Sequence, residues 1–258
     1  SEEITKIYET TKKIVSDVVS GNHDPIIVEN EKIEVLPVKL GKLKGEITNI
    51  PYLRFVGRTN KKIILSTGMS DLTEVEMAVK VLRKSGLAKK NLTILHCNTE
   101  YPTPFRHANL KAMLTIKKKY GVRIGYSDHT EGIEASLAAV AMGATIIEKH
   151  ITLNKNLSGP DHKASITEKQ LKNMVEGIRK IVIAMGDGIK KASPSEKKNI
   201  KIARNSIVAA TDIKKGEKFT KKNLGIKRPG RGISPMQLFK VIGKIARRNF
   251  NQDELIKL

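Results

Sequence analysis

Two histidines near the middle of the chain sit in matching surroundings. His129 closes the string Ser127-Asp128-His129, and His150 closes Glu148-Lys149-His150. Each string follows a short apolar run that reads as a buried strand, so two imidazoles at neighbouring strand ends could converge on one ion. Imidazole nitrogen together with oxygen ligands suits Mn, Fe or Zn, and Mg less readily. A lone histidine reads more readily as a hydrogen-bonded core or surface residue; the matched pair beside Asp128 and Glu148 is what brings the metal reading level with that one. Asp161, in the turn Ser158-Gly159-Pro160-Asp161-His162, could orient a substrate or only cap the turn. Ser66, Thr67 and Ser127 also fall at strand ends, where hydroxyls and amides could hold a phosphate or simply cap helices. Tyr101 could reach a substrate or pack against Pro102 and Pro104. Cys97 has no organised Cys-His arrangement beside it and reads as a buried thiol.

These residues need elements that hold them together. Lys62–Ser66, Leu92–His96, Val122–Tyr126 and Ala144–Glu148 read as buried parallel strands. Helices are predicted over Asp71–Ser85, Asn109–Tyr120, Glu131–Met142 and Glu168–Ala184. The strands recur every ~20–30 residues, the spacing of β-α units. Each ends in groups able to do chemistry: Ser66-Thr67, His96, Ser127-Asp128-His129 and Glu148-Lys149-His150. Contributions from one end of successive strands are how a TIM barrel builds its site. A doubly wound sheet would gather ligands at one switch point after a Gly-rich turn, and no such turn follows any strand. The fold class expected is therefore α/β, a partial TIM (β/α) barrel followed by a small, mostly β domain. Ala192-Ser193-Pro194-Ser195-Glu196 reads as a linker, and short β-type runs follow at Ser206–Ala210 and Phe219. The expected division is 1–44, a divergent or truncated segment; 45–188, the barrel portion; and 189–258, the small domain.

Composition narrows the function classes. With 258 residues and 39 % apolar content the chain can bury a core. Its 29 % charged content, free of low-complexity tracts, excludes disordered and collagen-like classes. No apolar run approaches the roughly 20 residues of a membrane helix, and the start, Ser1-Glu2-Glu3-Ile4, has no apolar signal core. The single cysteine excludes an internal disulfide and a cysteine-built zinc site, so a cytoplasmic location is expected. The net charge is +22, and residues 189–258 hold 19 Lys/Arg against 5 Asp/Glu. That imbalance allows a nucleic-acid-binding module. The lysines come in scattered pairs, however, and Phe219, Phe239 and Phe250 are too few for a stacking platform. A Lys-rich solvated surface combined with attraction of an anionic small substrate is the preferred reading.

Several ordered strings resemble the N-acetylneuraminate (sialic acid) synthase family. They are Gly45-Glu46-Ile47-Thr48-Asn49, Ile64-Leu65-Ser66-Thr67-Gly68-Met69, Leu95-His96-Cys97-Asn98-Thr99-Glu100-Tyr101-Pro102, Gly125-Tyr126-Ser127-Asp128-His129-Thr130, Glu148-Lys149-His150 and Gly159-Pro160-Asp161-His162. The tail resembles the family's SAF, or antifreeze-like, domain through Lys227-Arg228-Pro229-Gly230 and Gly232-Ile233-Ser234-Pro235. The resemblance implies condensation of phosphoenolpyruvate with N-acetylmannosamine or a related acylamino sugar, releasing phosphate, with Mn²⁺ or Mg²⁺. By position it implies His129 and His150 as metal ligands and Ser66 and Ser127 as phosphoenolpyruvate contacts. Glu46 and Asp161 match carboxylates that hold the sugar, and Tyr101 a substrate-contacting tyrosine. Thr99 stands at a substrate-binding position where some members carry an amide. Arg228 matches an arginine that the SAF domain of one subunit inserts into its partner's site, which implies a domain-swapped homodimer.

The resemblance covers the last five barrel strands, one near Val38–Gly45 and the four above. The motifs of the family's first three strands are not found, and residues 1–30 read instead as an amphipathic helix (Ile4, Tyr8, Ile14, Val18) and a short strand, Ile26-Ile27-Val28. Three readings follow. The chain is a truncated or rearranged synthase, its missing strands come from a separate polypeptide, or it is a non-catalytic sugar- or anion-binding remnant.

Overall fold

The computed structural model describes residues 46–258 and three short strands before them: β1 (Ile27–Val28), β2 (Glu31–Lys32) and β3 (Glu34–Val35). The helix expected over the first 30 residues and the strand expected near Val38–Gly45 lie outside the described residues. The chain divides into two compact units, Ser1–Asp187 and Gly188–Leu258.

In the first unit a 3-10 turn, Glu46–Thr48, leads into α1 (Ile50–Arg58). Four β-α steps follow: β4 (Ile63–Ser66) and α2 (Leu72–Lys84), β5 (Leu92–Cys97) and α3 (Lys111–Tyr120), β6 (Arg123–Asp128) and α4 (Glu134–Ala141), β7 (Ile146–Lys149) and α5 (Glu168–Met185). The four strands pair in parallel, in chain order, as a curled half-barrel. The fifth strand of the sheet is β3, which pairs with β7 through Glu34↔Ile146 and Val35↔Ile147 and so covers part of that edge. Local chemistry fixes the helix starts. Asp71 and Glu74 form a reciprocal capping box at α2, as do Thr167 and Gln170 at α5.

Successive strand residues point to opposite faces. Ile63, Leu65, Leu92, Ile94, Ile124, Tyr126 and Ile147 point to the helices and form one buried core with Val75, Leu82, Met113, Leu171 and Ile178. The opposite face, the concave side of the half-barrel, receives Ser66, Leu95, Cys97, Gly125, Ser127 and Glu148. Space there is tight at Gly125: a Cβ would lie 2.4 Å from Leu95 Cδ2 and 2.5 Å from the Ile146 carbonyl oxygen.

His96 differs from the sequence expectation. It pairs in register with Tyr126, its ring centroid 5.9 Å from the tyrosine ring, on the helix side of the sheet. Its Nε2–H donates to the Ala108 carbonyl at 2.8 Å. Burial pulls its pKa below the usual histidine value, against the opposing effect of that hydrogen bond. His96 is thus a packed residue at a strand end rather than a member of the concave face.

The second unit contains α6 (Pro194–Ala203), an antiparallel pair β8 (Ser206–Ala209) and β9 (Leu224–Lys227), and the short α7 (Leu238–Val241). The stretch expected as a linker instead starts a helix. Ser193 caps α6, Pro194 occupies its first turn, and Glu196 completes a capping box. Phe219 and Phe250 meet edge to face at 5.8 Å in a small core with Ile207, Ile213 and Val241. Two of the three phenylalanines weighed as base-stacking groups are therefore interior. Gly230 lies so close to the end of α6 that a Cβ would meet the Ile200 carbonyl at 2.5 Å. The Ser206 hydroxyl donates to the Pro229 carbonyl at 2.6 Å and accepts from the Gly232 amide at 2.9 Å, so the loop that follows Arg228 has a fixed course.

Two outcomes follow from this packing. Gly125→Ala overfills the concave face and should destabilise the chain by about 1–3 kcal/mol, read as a lower melting temperature. The folded state resists protonating His96 while the unfolded chain accepts the proton. Stability should therefore be fully present above about pH 6.5 and fall as pH drops through the depressed folded pKa. His96→Phe should flatten that part of the melting-temperature-versus-pH curve; an unchanged slope between pH 7.5 and 5 would contradict the assignment.

Candidate functional site at the carboxyl ends of β6 and β7

The register of β6 with β7 sets Ser127 against Glu148 and Asp128 against Lys149. Ser127 and Glu148 share the concave face, where the Ser127 hydroxyl donates to Glu148 Oε1 at 2.7 Å. Asp128 and Lys149 share the helix face, with Lys149 Nζ 3.0 Å from Asp128 Oδ2 and both side chains almost wholly buried. Burial pulls the Lys149 ammonium below its ordinary pKa, and Asp128 opposes that pull. Asp128 also accepts from the Thr130 amide at 2.9 Å, the Thr130 hydroxyl at 2.8 Å and the Ser136 hydroxyl at 2.6 Å. Asp128, adjacent to His129 in the sequence, thus has its oxygens committed on the face opposite the imidazoles.

One residue further along each strand, His129 and His150 return to the concave side. Their ring centroids are 5.3 Å apart at 64°. Tyr101 joins them, 4.0 Å from the His129 ring and 5.4 Å from the His150 ring. The loop after β5 positions this tyrosine. The Thr103 amide donates to the His129 carbonyl at 2.8 Å, and the Thr103 hydroxyl donates to the Glu100 carbonyl at 2.7 Å. The same loop orients the imidazole. His129 Nδ1 lies 2.5 Å from the Asn98 carbonyl, which can only accept, so Nδ1 carries the proton and Nε2 the lone pair. Asp161 faces His150 with Oδ2 3.8 Å from Nδ1. Its turn is pinned by the Ile166 amide, which donates to the His150 carbonyl at 2.9 Å, and by the Ser165 amide, which donates to the Asp161 carbonyl at 3.0 Å.

The rings of Tyr101, His129 and His150 are thus in mutual contact, Asp161 adjoins His150, and Ser127 and Glu148 precede the two imidazoles on the same face. Ser66 ends β4 on the same face. Thr99 follows β5, where a Cβ on Gly68 would come within 2.6 Å of its methyl, so the two neighbouring strand ends touch. Glu46 is held locally: Asn49 Nδ2 donates to its carboxylate at 2.6 Å at the start of α1. Arg228 belongs to the second unit, where it is exposed just beyond β9. Sequence reasoning missed Asn98, whose carbonyl sets the His129 tautomer and whose side chain accepts from the Glu100 amide at 2.8 Å. An asparagine directly after a strand, two residues before an amide it can accept from, is the signal that would have found it.

The donors present fit a divalent ion in part. Among the described residues no group of three or more His, Cys, Asp or Glu side chains gathers to hold one. Two imidazoles, one with its tautomer fixed by a backbone carbonyl and the other beside a carboxylate, suit an ion that draws its remaining ligands from water or substrate. No helix among the described residues is long and apolar enough to cross a membrane.

Comparison with known proteins gives this geometry a context. Residues 2–190 match the NeuB family and residues 204–258 match the SAF domain. The N,N'-diacetyllegionaminic acid synthase of Campylobacter jejuni is 57 % identical over 223 residues, covering 86 % of this chain and 67 % of the relative. The crystal structure of a putative spore coat polysaccharide biosynthesis protein E from Chromobacterium violaceum aligns with a TM-score of 0.65 at 27 % identity, over 82 % of this chain and 64 % of the other. An N-acetylneuraminic acid synthetase structure from Leptospira borgpetersenii aligns with a TM-score of 0.55 at 38 % identity, over 60 % of this chain and 54 % of the other. The chain spans about two thirds or less of the length of these relatives. A match of this extent, joined to strand ends that converge as described, shows that the chain belongs to the NeuB family and carries a SAF domain.

Proposed function

We propose that this chain is part of a synthase that condenses phosphoenolpyruvate with N-acetylmannosamine or a related acylamino sugar and releases phosphate. The observation that carries the reading is the convergence of His129, His150, Tyr101 and Asp161 at one mouth of the half-barrel. The C. jejuni relative is named for a product with two N-acetyl groups, so a diacetamido sugar stands beside N-acetylmannosamine as acceptor.

The reaction forms a bond between the enol carbon of phosphoenolpyruvate and the aldehyde carbon of the open-chain sugar. Water then adds at the cationic carbon left behind, and phosphate departs with the C–O bond. A divalent ion held by His129 and His150, Mn²⁺ or Mg²⁺, supplies polarisation of the aldehyde oxygen when bound. The chain's own residues do the rest. Ser66 offers its hydroxyl to the anionic phosphoenolpyruvate, Ser127 does so once its proton turns from Glu148 to the substrate, and Thr99 lines the approach from the neighbouring strand end. Asp161 and Glu46 accept from sugar hydroxyls and fix the sugar's orientation. Tyr101, packed beside both imidazoles, is placed to contact the substrate. Arg228 adds positive charge for the anionic substrate, reaching the site of a second copy in a domain-swapped homodimer. The excess of basic residues favours encounter with the same anion.

A second reading, a non-catalytic sugar- or anion-binding remnant, would use the same convergent side chains for binding without chemistry. The two differ in turnover. With phosphoenolpyruvate, N-acetylmannosamine or its diacetamido counterpart, and Mn²⁺, the chain should release phosphate, alone or together with a polypeptide that supplies the remaining barrel strands. Chelation should stop release and added Mn²⁺ restore it. His150→Ala should lower kcat about 10²–10³-fold with the fold intact by circular dichroism. Sugar or phosphate binding by calorimetry with no release under any of these conditions would establish the remnant instead.

A further inference from the structure

We infer that the buried Asp128–Lys149 ion pair is a positioning couple that sets the orientation of His129 and His150 from the opposite face of the sheet. What the imidazoles hold rests on the function proposed above; that the pair places them rests on geometry alone.

Neither charge reaches the concave face. Their side chains are 0 and 3 % exposed, and they occupy the helix-side positions directly after Tyr126 and Ile147 in the alternation. A brace that only had to fill space could continue with apolar residues there. Apolar replacement of a buried ion pair is often neutral or stabilising, so burying a charged pair gains nothing by packing alone. An ion pair with hydrogen bonds does what an apolar contact does not: it fixes direction.

The bonds fall on the residues that flank the imidazoles. Asp128 immediately precedes His129, and Thr130 immediately follows it. Thr130 is held through three atoms: its amide and hydroxyl donate to Asp128 Oδ1, and its carbonyl accepts from Lys149 Nζ at 2.5 Å. Lys149 in turn immediately precedes His150. One ammonium therefore ties the peptide after His129 to the residue before His150. Ser136, near the start of α4, anchors the same carboxylate to the helix layer at 2.6 Å. The chain on both sides of His129, and the approach to His150, are fixed by a network that touches neither ring. Asp128 and Lys149 thus act through the imidazoles and are positioning residues.

The test uses the full chain and reads the imidazoles as well as the metal. Lys149→Met keeps the length and removes the charge. It should displace the ¹⁵N–¹H signals that report the Nδ1–H tautomer of His129, and weaken Mn²⁺ binding measured by calorimetry about tenfold to a hundredfold. Ile178→Val, a buried change on α5, should lower the melting temperature and leave both readouts unmoved. Should Lys149→Met fail to fold, Thr130→Val removes a single donor to Asp128 at constant shape. It should shift the His129 signals and weaken Mn²⁺ binding severalfold, and Thr130→Ser should restore both. A folded Lys149→Met or Thr130→Val chain with unchanged His129 signals and unchanged Mn²⁺ affinity overturns the inference. A wild-type chain that binds no Mn²⁺, while Lys149→Met still displaces the His129 signals, upholds the positioning role and removes the metal from the function proposed above.

Discussion

Between β6 and β7 a carboxylate and an ammonium are buried against each other on the helix side of the sheet, and the arrangement of the mouth depends on it. Side chains alternate along a strand, so residues fixed on one face determine what the other face presents. With Asp128 and Lys149 directed to the helices, Ser127, His129, Glu148 and His150 have only the concave face left to them. A one-residue slip of either strand would bury an imidazole among the helices and expose a lone charge. Breaking such a pair from one side costs about 3–5 kcal/mol, because it strands the other charge in the interior. The register is thus held by a penalty that neither strand could supply from apolar contacts alone.

Around that constraint the loops complete the site. The segment after β5 wraps His129 by donating from Thr103 to its carbonyl and accepting from its ring at Asn98, and this brings Tyr101 over both imidazoles. The segment after β7 folds back through Ile166 onto the His150 carbonyl and presents Asp161. Both loops leave from the same end of the sheet because every strand runs in the same direction. Parallel β-α repetition gathers chemistry at one rim in this way. The second unit follows another logic. Its loops are tied by a few specific bonds, such as those of Ser206 to Pro229 and Gly232, rather than by a sheet rim.

Membership in the NeuB family and the geometry of the mouth support each other without depending on each other. The family match rests on ordered strings along the chain, whereas the ring contacts rest on register and loop bonds. The strong positive charge, +22 in all, says nothing of the fold and bears only on encounter with anions in general.

Much of this was legible in the residues. The four apolar runs marked β4 to β7 within one or two residues, because short buried runs bounded by turns have few other uses. That His129 and His150 stand at the ends of two neighbouring strands followed from their places just after two such runs. The Ser193-Pro194-Ser195-Glu196 string carried a capping box, although its polar composition read as a linker. Which face each strand-end residue takes was not legible. Strands of a parallel sheet are covered on both sides, so their hydrophobicity does not alternate and the pleat has no visible phase. His96 and His129 therefore look alike in the sequence. Only packing separates them: His96 lies against Tyr126 and the Ala108 carbonyl, and His129 lies under Tyr101. Asp128 and Glu148 differ for the same reason, one consumed by Lys149 and the other bonded to Ser127. The amino-acid order alone determined which residues arrive at the rim. The tertiary structure decided which of them turn inward, because that choice is made by partners distant in the chain and not by neighbours along it.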